Sequence, residues 1–158
     1  MAILVMGLGN LLMGDDALGV HVVRRLQERF VFPAEVQVVD GGTLGLDLLP
    51  QLEGVQRLLI VDALDLQTAA GTIVRLTGEE VPRAFAGKLS VHQMGLQDLL
   101  AVAELQGHLP PEVVVWGVQV AEIEPGLQLS PAVGRALEPV VDAVADELAA
   151  WGVSLAAA

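Results

Sequence analysis

The stretch ILVMGLGNLLMGDDALGVHVVRRLQERF, residues 3–30, decides the fold. Ile3 to Met6 is a short apolar run of strand type, and a glycine-containing loop follows it. Beyond Asp15, the residues Leu18, Val22, Leu26 and Phe30 recur every four positions, while Arg24, Arg25, Glu28 and Arg29 take other faces. That period belongs to an amphipathic helix, and Pro33 fits its end. The same alternation continues along the chain. Strands are expected at Val36 to Val39, Leu58 to Val61, Thr72 to Leu76 and Val113 to Val118. They are nearly all apolar, as strands covered on both faces must be. A middle helix is expected from about Met94 to Leu105, closing near Gly107. A last helix has Ser130 as its N-cap and Pro131 at its first position, and runs to about Trp151 before Gly152. The pattern predicts an α/β fold: a three-layer αβα sandwich around a mostly parallel, mixed sheet of five strands. Residues 1–158 are expected to form one domain, with no internal repeat and no linker.

Composition narrows the function classes. The 158 residues hold 8 Lys+Arg against 20 Asp+Glu, a formal charge of -12, which opposes binding to nucleic acid or to an anionic membrane surface. With no cysteine, there is no disulfide, no thiolate-bound metal and no thiol nucleophile. Tyr is absent, and two Trp and three Phe leave an aliphatic core with little to stack on bases. The amino end lacks a basic segment and a long enough apolar stretch for a signal peptide. No apolar run approaches the ~18 residues of a membrane span. A cytoplasmic protein is expected, without membrane insertion.

In open α/β sheets, ligands gather at the carboxyl ends of the strands. There the sequence places Asp15 and Asp16 after the first strand, Asp40-Gly41-Gly42-Thr43 after the second, and Asp62 after the third. A dinucleotide-binding reading fails at Leu12, which is bulky where the helix must approach the strand. A phosphate-loop reading fails at Asp15 and Asp16, which stand where Lys and Ser or Thr are needed. Helix capping accounts for one of the two acids. If Asp15 caps, Asp16 is left to point across the sheet edge. Asp62 is either an ordinary strand-end hydrogen-bonding group or part of a site. Asp40-Gly41-Gly42 also reads as a plain turn. Of three histidines, His92 is best placed to join the acids. His21 lies on another face of the first helix from Asp16, and His108 sits in a loop remote in sequence. Two carboxylates and an imidazole suit a divalent first-row transition ion better than calcium. No H-E-x-x-H and no G-x-S-x-G occurs.

Gly7-Leu8-Gly9-Asn10-Leu11-Leu12-Met13-Gly14-Asp15-Asp16-Ala17-Leu18-Gly19 resembles the opening signature of the hydrogenase maturation endopeptidases. The likeness continues through Asp40-Gly41-Gly42-Thr43, Asp62-Ala63, Glu79-Glu80-Val81-Pro82 and Ser90-Val91-His92-Gln93-Met94-Gly95-Leu96, so it spans essentially the whole chain. The resemblance implies a protease that trims the carboxyl-terminal extension from the large-subunit precursor of nickel–iron hydrogenase. It implies Asp16, Asp62 and His92 as the metal-contacting and catalytic set. The first of these is Glu in some members, which leaves the ligand type unchanged. Asp40, Gly41, Gly42 and Thr43 would engage the substrate. It also implies that the nickel arrives with the precursor, so that no permanently bound cofactor is expected. The alternatives are a non-cleaving, nickel-checking chaperone for the same precursor and a nucleotide-binding α/β domain.

Overall fold

The computed structural model describes residues 2–42, 45–78, 80–81 and 96–158. Thr43 and His92 lie outside them, as do Glu79, Pro82 and the Ser90-to-Gly95 block with the expected start of the middle helix. The chain runs β1 (Ile3–Leu8), a 3-10 turn (Gly14–Ala17), α1 (Leu18–Arg29), β2 (Phe30–Val31) and β3 (Val36–Gly42). A second 3-10 turn (Gly45–Leu48) leads into the short α2 (Leu49–Leu52), then β4 (Arg57–Leu64) and β5 (Ile73–Thr77). α3 (Leu96–Leu105), β6 (Glu112–Gln119), α4 (Pro131–Ala150) and β7 (Ala156–Ala157) complete it.

Five strands form one sheet in the order β3-β1-β4-β6-β5. The first four run parallel, and the edge strand β5 is antiparallel to β6, with Ile73 opposite Val118 and Thr77 opposite Val114. Every residue of β1 is buried, because helices cover both faces of the sheet. Ile3, Val5, Leu59 and Val61 point to one side, against Leu18, Val22 and Leu26 of α1 and Val140, Val144 and Leu148 of α4. Leu4, Met6, Leu58 and Ile60 point to the other, against Leu52 of α2 and Leu99 and Ala103 of α3. The two apolar layers follow from the two-residue period of a strand. The fold is the expected three-layer α/β sandwich.

Topology sets where a site can form. The chain leaves β1 through α1 to reach β3 on one side, then returns through α2 to β4 on the other. The direction of winding reverses between β1 and β4, and in open α/β sheets the carboxyl ends of the strands at such a reversal are where ligands bind.

One sequence expectation changes in detail. Phe30 carries the four-residue period of α1 but adopts φ -131° and ψ 152° at its end. There it begins a two-stranded ribbon, pairing with Ala157 while Val31 pairs with Ala156. The alanine-rich tail supplies the partner, which no local signal indicates. The middle helix closes as expected, with Gly107 at φ +72°.

Candidate active site

Gly7 and Gly19 let α1 lie directly on the sheet. A Cβ on Gly7 would collide with the Gly19 carbonyl, and one on Gly19 with the carbonyls of Val61 and Leu8. The start of α1 is therefore pressed into the end of β1 and against β4. Asp16 lies three residues before Gly19, on a 3-10 turn that packs against β4. Gly9, at φ +144°, permits that turn to fold back, since any side chain there would strike the Asp16 carbonyl.

Asp16 is 2% exposed. Its Oδ2 accepts a hydrogen bond from the Asn10 amide at 3.0 Å, and the Asn10 side chain in turn accepts from the Leu12 amide at 2.9 Å. The carboxylate is thus held by the loop that precedes it. Asp62 is 1% exposed and lies two residues inside the end of β4, which extends to Leu64 instead of closing at Val61. Pairing between β1 and β4 stops at Gly7 opposite Val61, whereas Asp62 pairs with Gly117 of β6. Asp62 is therefore the first β4 residue past its pairing with β1, near the carboxyl ends of both strands. Its side chain shares the face of Leu58, Ile60 and Leu64. The two carboxylates expected from the sequence are thus both buried near the carboxyl ends of neighbouring strands, Asp16 on the turn after β1 and Asp62 on β4.

Asp15 departs from the capping expectation. The N-cap of α1 is Ala17, and no side chain among the described residues caps it. The Asp15 carboxylate reaches across the molecule instead. It accepts from the Ser130 amide at 2.6 Å, the Ser130 hydroxyl at 2.8 Å and the Ala121 amide at 3.0 Å. Ser130 does occupy the N-cap position of α4, with Pro131 following, but its hydroxyl bonds Asp15 rather than its own helix.

Asp40 lies within β3, which runs on to Gly42, and its side chain is exposed. The register slips between Gly7 opposite Asp40 and Leu8 opposite Gly42, so Gly41 forms a bulge. Asp40 Oδ1 accepts from the Gly42 amide at 3.0 Å, and Oδ2 stands 3.7 Å from Arg24. The Gly9 amide donates to the Gly42 carbonyl at 2.9 Å, which joins this block to the loop ahead of Asp16. His21 stays apart from the acids: its Nε2 is buried with no hydrogen-bond partner among the described residues. Desolvation and the neighbouring Arg24 hold its pKa below the usual imidazole value. His108 is exposed in the loop after α3. Among the described residues no three His, Asp or Glu side chains are grouped to hold a metal ion. Asp16 and Asp62 are the part of the expected set that the structure describes.

Sequence reasoning missed Gln119, at the end of β6. It is 5% exposed, and its side-chain oxygen accepts from the amides of Leu66 and Thr68. It ties down the loop that follows Asp62 by contacts across more than 50 residues, and nothing local in the sequence signals them.

A family model described as hydrogenase maturation protease matches residues 20–147. This chain belongs to the hydrogenase maturation proteases. The protease is 39% identical to the hydrogenase 2 maturation protease of Escherichia coli K12 over 97% of this chain and 94% of that one. It is 41% identical to the hydrogenase expression/formation protein HupD of Rhodobacter capsulatus, over 97% of this chain and 74% of that protein. Among solved structures it superposes on the hydrogenase maturating endopeptidase HybD of E. coli with a TM-score of 0.93 at 38% identity, covering 99% and 98% of the two chains. The [NiFe] hydrogenase maturation protease HybD of Thermococcus kodakarensis matches with a TM-score of 0.76 at 31% identity, over 94% and 99%. The chain is thus a peptidase by family, with the expected α/β architecture. No helix among the described residues is long and apolar enough to cross a membrane.

Proposed function

We propose that this protease removes the carboxyl-terminal extension of a nickel-loaded hydrogenase large-subunit precursor, with Asp16, Asp62 and His92 contacting the nickel that the precursor carries. The observation that supports this reading is the pair of nearly inaccessible carboxylates, Asp16 and Asp62, near the carboxyl ends of β1 and β4. Both are carboxylate oxygen donors, of the kind a divalent ion presented by a partner takes as ligands. Carboxylate and imidazole together suit a first-row transition ion. Three protein ligands leave coordination positions for groups of the precursor. A nickel ion held between enzyme and precursor acts as a Lewis acid beside the scissile peptide bond. Asp40, Gly41, Gly42 and Thr43 form the substrate-engaging block. The exposed Asp40 carboxylate lies at the sheet edge that the Gly9–Gly42 bond links to Asp16.

On this reading the metal is a test of the substrate, because a nickel-free precursor lacks an anchor. The isolated protease has no resident cofactor and binds nickel weakly. It acts in the cytoplasm, where its partner is the precursor rather than nucleic acid or membrane. Incubation with nickel-loaded precursor is expected to give a mass loss equal to the tail, and nickel-free precursor to stay intact. Asp16→Ala, Asp62→Ala and His92→Ala are expected to abolish cleavage while the circular dichroism of the fold is retained. Wild-type rates in all three variants would overturn the site. A stable complex with uncut precursor would point to a nickel-checking chaperone.

A further inference from the structure

Asp15 neighbours Asp16 and is as deeply buried, at 1% exposure, yet its hydrogen bonds run to a distant part of the chain. Its three acceptor bonds go to Ala121 and Ser130, the two ends of the segment that joins β6 to α4. The same segment is bound to the turn by main chain. The Gly126 amide donates to the Leu12 carbonyl at 2.8 Å, and the Gly14 amide donates to the Gly126 carbonyl at 2.9 Å. Gly14 itself sits at φ +58°, where a Cβ would crowd the Glu124 carbonyl at 3.1 Å. Residues 121–130 therefore form a strap laid along residues 12–15, closed at both ends by one carboxylate. That carboxylate also lies at the amino end of a 20-residue helix, where the helix dipole favours negative charge.

The strap and Asp16 are mechanically joined. The Asp16 amide donates to the Met13 carbonyl at 3.2 Å, and Met13 bridges to Gly126. The Asp16 carboxylate accepts from the Asn10 amide, and Asn10 in turn accepts from the Leu12 amide. Residues 10 to 16 form a closed loop with Asp16 on its inner side, and the strap forms its outer wall. Three charge-assisted hydrogen bonds hold that wall.

We infer that Asp15 is a positioning residue: by fastening the 121–130 strap to the turn at residues 12–15, it fixes the direction in which Asp16 presents its carboxylate to the substrate. Asp15 touches neither substrate nor metal. The inference rests on the reading above that Asp16 acts on the precursor's nickel. Asp15→Asn keeps the size of the side chain and replaces an acceptor oxygen by an amide that faces donors. Ser130→Ala removes one of the three bonds and leaves the charge and both main-chain donors in place.

The test uses the full chain, at a temperature where melting curves show each variant folded. Cleavage of nickel-loaded precursor is followed together with the amide resonance of Asn10, whose N–H reports the Asp16 carboxylate directly. Asp15→Asn is expected to lower kcat by roughly 10- to 100-fold, the range of groups that orient a ligand from behind, with KM little changed. The Asn10 resonance moves, while the amides of α4 beyond its first turn keep their positions. Ser130→Ala moves the same resonance in the same direction by less, and this variant decides the matter if Asp15→Asn does not fold. An Asn10 resonance unmoved in both variants, or a folded Asp15→Asn enzyme with wild-type kcat, would overturn the inference. Asp16→Ala, measured in parallel, separates the two readings: cleavage at full rate without Asp16 defeats the proposed site, whereas the Asn10 resonance still reports whether Asp15 holds the loop.

Discussion

His21 shows how a single side chain ties this fold to pH. Its Nε2 is buried, and burial and Arg24 both disfavour the imidazolium, so the folded state holds the group neutral to a lower pH than the unfolded chain does. The unfolded chain then binds more protons, and stability falls as pH drops through and below the ordinary imidazole value of about 6.5. Above that value both states are neutral and the residue contributes no pH dependence. Urea midpoints compared at about pH 7 and about pH 5 are expected to fall with acid, and His21→Gln should flatten part of that slope. An unchanged slope in the variant would show that His21 is not the titrating group. At this same scale, the placing of Asp16 after β1 and of Asp62 toward the end of β4 was legible in the sequence, because the approximate ends of buried strands can be read from apolar runs alone. The role of Asp15 was not, since its partners lie 106 and 115 residues away.

At the scale of elements, α1 and the sheet approach through glycine rather than through side chains. Gly19 has no room for a Cβ, because backbone carbonyls of β1 and β4 already occupy it. Gly134 in α4 is exposed, with nothing within 4 Å of the place a Cβ would take. The same substitution should thus act with opposite sign. Gly19→Ala is expected to destabilise by about 3 kcal/mol, as overpacking against rigid backbone does, while Gly134→Ala should stabilise by about 0.5–1 kcal/mol through lower entropy of the unfolded chain. Urea unfolding of both variants checks this, and equal effects would mean that the helix can lift from the sheet. The sequence displayed the helical period of α1, yet it did not show which glycine carries the close approach. Leu12 breaks a dinucleotide-type spacing, but the contact falls at Gly19, a position that spacing does not consult.

Over the whole molecule, acidity dominates. The excess of acids behind the charge of -12 is only partly answered by ion pairs such as Arg29 with Glu138 and Asp142, and Arg75 with Glu147. Exposed pairs contribute about 0–1 kcal/mol each, so net self-repulsion outweighs them. Raising potassium chloride from ~10 mM to ~1 M shortens the screening length from ~30 Å to ~3 Å. The melting temperature is expected to rise over that range, and a fall would mean that the ion pairs outweigh the repulsion. The pairs still have a placing role. Glu147 receives both Arg75 of the edge strand β5 and the Trp116 indole of β6, and so locks the antiparallel edge to α4.

Periodicity, apolar runs and punctuation by Gly and Pro determined the layers, the helices and the strand ends near which Asp16 and Asp62 lie. Each of these depends on residues close in sequence and on the burial period of an element. Tertiary structure alone decided that Asp15 serves α4 instead of α1, that Gln119 secures the loop after Asp62, and that the final alanines pair with Phe30 and Val31. Hydrogen-bonding groups on distant segments find partners only once the sheet has brought those segments together, and a linear pattern carries no record of that proximity.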